Sequence, residues 1–296
     1  MVKLRRMAWC VALIVTVGNI WATGYAQERQ PDVHFVPTPQ EVVVEMLRMA
    51  RVTQDDVVYD LGCGDGRIVI TAAKMFGARG VGVDLDPVRI KESNENAIKA
   101  GVTNRVKFFQ QDLFEINLSE ATVVSLYLLS ELNLKLRPKL FRELKPGTRV
   151  VSHEFDMDDW KPDNQGTLPN MKVYYQPTTP STKDLDFYYW VIPADVAGDW
   201  EWTVAGSKGG RNYSLRLLQK FQEINGHVNA SGRGIPIEDA HLVGNRLGFT
   251  VKDTIDGQGV VMRFYGAIDR NTIQGNAEIQ GGPFSGNHPW TARRRP

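Results

Sequence analysis

The sequence predicts an α/β chain in two parts, a doubly wound, largely parallel sheet followed by an antiparallel all-β domain. Three observations carry this reading. From Phe35 to about Pro193, short apolar runs alternate with stretches of helical period. Val57–Ile70, "VVYDLGCGDGRIVI", passes from an apolar run through three glycines at alternate positions into an amphipathic run. After Pro193 the helical period is lost, and turn residues separate short strand-like segments.

Thr38-Pro39-Gln40-Glu41 reads as a helix start, with a Thr cap, Pro at the first helical position and Glu three residues after the cap. "EVVVEMLRMA" continues that helix. "VVYDL" is a strand, "RIVITAAKMF" a helix ending near Gly77, and "RGVGVD" a second strand. Asp86-Pro87 caps the helix "VRIKESNENAIKA", which Gly101 stops. "RVKFFQ", "TVVSLYLL" and "TRVVSHEF" are further strands, with the helix-like "LRPKLFREL" before the last. Strands alternating with helices imply a parallel sheet covered on both faces. "KVYYQ" and "FYYWVIP" are expected to add an antiparallel edge, and "PDNQGTLPN" and "QPTTPSTKD" to be loops. From "DWEWTV" to "HPWTARR" the pattern is a sandwich or small closed barrel, with turns expected at Asn225-Gly226 and Asp256-Gly257. The expected division is 27–194 for the first domain and 195–296 for the second.

The apolar fraction of 42% and charged fraction of 23% are those of a globular protein. Formal net charge is +1 and no long basic block occurs, so nucleic acid is not an expected partner. Lys3, Arg5 and Arg6 precede the apolar run "MAWCVALIVTVGNIWA", and small residues follow at Gly24 and Ala26. Residues 1–26 therefore read as a secretory signal peptide cut near Ala26–Gln27, or as an uncleaved N-terminal anchor that would give membrane association. Export or anchoring is the expected localisation. Cys63 is then the sole cysteine of the mature chain and forms no internal disulfide.

The glycine loop decides the chemistry. A dinucleotide site wants G-x-G-x-x-G, but Arg67 stands at the third-glycine position and Asp65 lies inside the loop. A P-loop fails as well, lacking both the length and the Gly-Lys-Ser/Thr ending. The alternative is a ligand with a positive charge and no phosphate, such as S-adenosylmethionine. Asp60 at the strand end can bond its ammonium, and bare backbone at Gly62, Gly64 and Gly66 lets it lie close. Asp84 ends the second strand, where a carboxylate can accept ribose hydroxyls. Asp112 follows the third strand and can take the adenine amino proton. All three carboxylates fall at the carboxyl ends of strands, the binding edge of such a sheet.

"YDLGCGDG", "GVDLD" and "QDLF" resemble the successive motifs of class I S-adenosylmethionine-dependent methyltransferases, over roughly Phe35 to Pro193. The resemblance implies a seven-stranded Rossmann-like sheet and methyl transfer. More narrowly, "FVPTP", "YDLGCGDGRIVI" and "LYLLSELNLKLRPKLFRELKPGTRVVSHEFDMDDW" resemble the protein-lysine methyltransferases of the ATP synthase c-subunit and adenine nucleotide translocase, with their bacterial relatives. In that group the segment holding Thr38 reaches the methionine end of the cofactor. Tyr127, near the end of the fourth strand, lies where methyltransferases place residues facing the methyl, and its ring could stabilise a cation there. Glu131 and Asn133 are further candidates for substrate contact. His153 and Glu154 end the fifth strand, with His153 expected to be structural. No spacing of Cys, His and Asp points to a metal. A lysine-bearing protein is the expected acceptor. A small molecule or envelope lipid, or a non-enzymatic role for the β domain as a ligand carrier, are the alternatives.

Overall fold

The computed structural model describes residues 34–173, 181–204, 210–230 and 232–295. The signal-peptide or anchor segment, 1–26, lies outside the described residues. Among those described, no helix is long and apolar enough to cross a membrane.

The first sheet has seven strands in the order β3-β2-β1-β4-β5-β7-β6. Its elements follow the chain as α1 (Gln40–Met49), β1 (Val57–Leu61), α2 (Arg67–Phe76), β2 (Arg79–Asp84), α3 (Pro87–Ala100), β3 (Val106–Gln110), β4 (Val123–Leu126), α4 (Ser130–Glu143), β5 (Arg149–His153), β6 (Asn164–Val173) and β7 (Ser181–Val191). Strands β1 to β5 are parallel, with β7 antiparallel to β5 and β6 antiparallel to β7. β1 is buried along its whole length, as a central parallel strand must be. One face packs against α1, α2 and α3 through Val42, Met46, Val69 and Ala97. The other packs against α4 through Leu61, Leu126, Leu136 and Leu140.

Helix punctuation largely follows the sequence. Asp86 accepts the Val88 N–H at 2.8 Å with Pro87 in the first turn, and Gly77 and Gly101 close their helices in the left-handed region. Thr38 departs from it. The first bond of α1 runs from the Val43 N–H to the Pro39 carbonyl, and no side chain caps the helix. The Thr38 hydroxyl is engaged elsewhere, 3.3 Å from His153 Nδ1. Two expected loops are strand. Asn164–Asn170 belongs to β6 and Ser181–Asp184 to β7. Pro169 is tolerated because β6 is the outermost strand and its register shifts between Leu168 and Met171.

The second sheet holds β8 (Gly198–Val204), β9 (Arg211–Lys220), β10 (Glu223–Ala230), β11 (Arg233–Pro236), β12 (Glu238–Val243), β13 (Arg246–Ile255), β14 (Gln258–Asp269), β15 (Thr272–Gln280) and β16 (Gly286–Arg294). Strands pair with their sequence neighbours, except that β11 and β12 part, and β16 returns to β8 through Arg293–Glu201 and Arg294–Trp200. β11 pairs with β10 and β12 with β13, with Ile237 alone between them, so this bent segment nearly closes the ring. The result is an up-and-down barrel filled by Trp200, Trp202, Phe249, Phe264 and Trp290. Asp256-Gly257 is a turn as expected, but Asn225-Gly226 lies inside β10. The turn there is Phe221-Gln222. Gly226 is needed for close approach, since a Cβ would sit 2.1 Å from the Arg216 carbonyl oxygen.

Both sheets belong to one compact unit. The β9–β10 hairpin tip joins them. Phe221 stacks on Phe141 at 5.6 Å and lies 6.0 Å from Trp160, while Gln222 accepts from Trp160 Nε1 at 2.9 Å. Phe141 is in the last turn of α4, and Trp190, which packs on Trp160, pairs with Val150 near the start of β5. The barrel therefore attaches at the amino-terminal edge of the parallel strands, opposite their carboxyl ends.

Candidate active site

That carboxyl edge gathers most of the residues singled out in the sequence. After β1 the chain turns sharply. The Gly62 and Cys63 N–H groups donate to the Val83 carbonyl at 2.8 and 2.9 Å, and Ser93 Oγ donates to the Gly64 carbonyl at 2.7 Å. Gly62, Gly64 and Gly66 have φ of +84°, +53° and +78°. Gly64 is constrained twice over, because a Cβ would lie 2.1 Å from the Phe35 ring.

Asp60 is completely enclosed. Its Oδ1 accepts the Ser125 hydroxyl at 2.5 Å, and its Oδ2 is buried with no partner. Burial pushes its carboxyl up to about 7 against the pull of the Ser125 hydrogen bond, with the charges of Asp84 and Asp65 adding to the rise. Asp84 accepts the Gly64 N–H at 2.9 Å on one oxygen and the Asp86 N–H at 3.0 Å on the other. Each of its oxygens keeps a further lone pair. Asp112, half-buried, accepts the Phe114 N–H at 2.9 Å in a local turn. Three carboxylates thus frame the edges of β1, β2 and β3, and the buried Asp60 Oδ2 among them has no hydrogen-bond partner.

Arg67 has more to do than displace a glycine. Its guanidinium pairs with Asp65, with Nη2–Oδ2 at 2.5 Å, and Nη1 donates to the Thr38 carbonyl at 2.8 Å. Asp65 is accordingly buried and paired, not a solvated loop residue. Together they tie the segment before α1 to the glycine loop. Phe35 extends that tie, its ring resting on Gly64 beneath the Arg89 guanidinium at 4.8 Å. The "FVPTP" stretch makes up this strap, although sequence reasoning reaches only its Thr38.

On the other side, Tyr127 follows β4, half-buried, its ring 4.1 Å from that of His153 and 6.2 Å from Phe155. His153 is buried, with Nδ1 on Thr38 and Nε2 without a partner. Burial holds it down at about 3, with Lys183 adding to the fall, which favours the neutral imidazole. Asn133, a candidate substrate contact, is fully buried; its amide donates to the Phe155 and Asp156 carbonyls at 3.1 and 3.3 Å, fixing the loop after β5, and its Oδ1 has no partner. Glu131 is exposed, and Glu154 pairs with Lys183.

The residues suit a ligand with a cation, hydroxyls and a flat base. The orphaned Asp60 oxygen would meet an ammonium, and glycine backbone gives the approach. A nucleotide cofactor carrying positive charge in place of phosphates is what such an edge selects, and the class that fold and edge define is the S-adenosylmethionine-dependent methyltransferases. A family model described as the ANTKMT methyltransferase domain matches residues 60–164. The chain is 56% identical over 133 residues to a protein-lysine N-methyltransferase of Saccharolobus islandicus (strain REY15A), covering 45% of this chain and 83% of that one. It is 32% identical over 170 residues to the lysine N-methyltransferase of the ATP synthase c-subunit from Homo sapiens, covering 55% and 72%. A solved RNA methyltransferase from Salinibacter ruber, in complex with S-adenosyl-L-homocysteine, is 52% identical with a TM-score of 0.48, over 54% of this chain and 96% of that one. The chain belongs to the ANTKMT methyltransferase family, and the matched segment lies wholly before the barrel.

Proposed function

We propose that this chain methylates the side-chain amine of lysine in a protein substrate. The observation that carries the reading is the group of rings at the ends of β4 and β5, where Tyr127 lies 4.1 Å from His153 and 6.2 Å from Phe155, with the Glu154 carboxylate beside them already paired to Lys183. A free lysine has a pKa near 10.4, and apolar surroundings penalise its charged form, so such walls favour the neutral nucleophile without a dedicated base. The relatives named as lysine methyltransferases point the same way.

S-adenosylmethionine supplies an electrophilic methyl group on a sulfonium. The protein supplies place and field. In this proposal Asp60 Oδ2 takes the ammonium, Asp84 the ribose hydroxyls through its spare lone pairs, and Asp112 the adenine amino group. Gly62, Gly64 and Gly66 admit the ligand to the backbone, and Thr38 borders its methionine end. The Tyr127 ring offers a π face to the cationic product amine.

Incubation of the protein with methyl-labelled cofactor and a cell-envelope extract tests the acceptor. Label that survives acid hydrolysis as methyl-lysine supports the proposal. Label that passes into organic solvent assigns a lipid or small-molecule acceptor and sinks it. Export or membrane anchoring through residues 1–26 remains part of the proposal, tested by the mass of the native N-terminus together with cell fractionation.

A further inference from the structure

His153 presents a problem that the cofactor does not solve. Its side chain is buried and its Nε2 has no partner, which leaves the desolvation of that nitrogen uncompensated. Nδ1 is already tied to Thr38 Oγ1 at 3.3 Å, and the ring is held against Tyr127 at 4.1 Å. The imidazole therefore has a fixed orientation and one uncommitted atom, at the end of β5 and in contact with the residue expected to face the methyl.

We propose that His153 is the acceptor-binding residue, its Nε2 accepting a hydrogen bond from the incoming lysine Nζ while its Nδ1–H donates to Thr38. This rests on the lysine reading above and deepens it. A neutral ring suits the task, since an imidazolium would repel an ammonium and offers no lone pair. Thr38 is in turn fixed through its carbonyl by Arg67, so one chain of contacts runs from the glycine loop to the acceptor amine. Nε2 is sealed from solvent, so in this proposal the amine reaches it by displacing a neighbouring side chain, and the half-buried Tyr127, its ring 4.1 Å from the imidazole, is the one in contact.

Two substitutions separate this from a purely structural histidine. The amide of H153N stands where Nδ1 was and keeps the link to Thr38, whereas the amide of H153Q reaches the place of Nε2. Acceptor binding through Nε2 predicts that H153N lowers kcat/KM for a lysine-bearing peptide by about ten- to hundredfold while H153Q retains most of it, that span being the worth of one buried hydrogen bond whose partner is left unmet. The reverse order would show that the Thr38 link is what matters and overturn the proposal. Cooperative thermal unfolding of both variants, close to that of wild type, controls for folding. In wild-type protein, nitrogen NMR of the ring should show the Nδ1–H tautomer and a shift of Nε2 on adding the peptide in the presence of S-adenosylhomocysteine. An Nε2–H tautomer, or no shift with peptide bound, refutes it without any variant. Wild-type protein that labels no lysine at all refutes the underlying reading instead.

Discussion

Replacing Asp60 by Asn should make the ligand-free protein more stable and the enzyme worse. Asp60 is enclosed, its Oδ2 has no partner, and its carboxyl is pushed from the ordinary 3.8 up to about 7. A carboxyl raised in this way binds its proton more tightly folded than unfolded. Its contribution is therefore most favourable at low pH, declines as pH rises from 3.8 through about 7, and is flat above. The gap corresponds to roughly 4 kcal/mol against the ionised form. Asn removes that penalty but keeps a carbonyl oxygen for the Ser125 hydroxyl, and its amide needs an acceptor of its own at a cost of about 1–3 kcal/mol. The net expectation is that D60N gains about 1–3 kcal/mol at pH 8, at about 2–4 °C per kcal/mol, with the gain gone or reversed near pH 4. The same variant should bind S-adenosylmethionine at least tenfold more weakly, having lost the anion facing its ammonium. Thermal denaturation of wild type and D60N across pH 4–8, with calorimetric titration of cofactor, provides the readout. A D60N protein that is less stable at pH 8, or a difference that does not change with pH, would refute the reasoning.

Three further predictions follow from the same geometry. Asp84→Ala removes the acceptor for both the Gly64 and Asp86 N–H groups, so it should cost about 2 kcal/mol in denaturant unfolding and abolish measurable cofactor binding. Arg67→Met leaves Asp65 buried without its partner and frees the Thr38 carbonyl; stability should fall by about 3 kcal/mol, and KM for cofactor should rise more than kcat falls. Phe221→Ala removes a half-buried ring at the opposite edge of the sheet and should cost about 2 kcal/mol of stability while leaving cofactor affinity within twofold, as titration and melting together would show.

What the sequence disclosed and what it concealed divide on physical lines. Asp60, Asp84 and Asp112 are legible because strand, turn and helix signals put each at a strand end, and position along a parallel strand already fixes the binding edge. Caps at Asp86, Gly77 and Gly101 are legible because they depend on neighbours a few residues away. Thr38 misleads for the opposite reason. Its partner, His153, is 115 residues distant, and a local capping pattern has no means of showing that a remote ring takes the hydroxyl. Asn225-Gly226 looks like a hairpin turn by composition, but Phe221 at φ +56° makes the turn instead, at the tip that docks on Phe141 and Trp160. The burial of Asp65 and the unpartnered Nε2 of His153 are likewise consequences of packing, which no spacing rule reports.

The central claim is that a buried, cation-seeking Asp60 holds the ammonium of S-adenosylmethionine. Calorimetric titration of wild-type protein at pH 7, repeated in buffers of different ionisation enthalpy, measures it most directly. With its carboxyl raised to about 7, Asp60 is partly protonated before binding and ionised after it, so binding should release a fraction of a proton, and D60N should release less. Binding without proton release, or tighter binding of NAD than of S-adenosylmethionine, would contradict the claim.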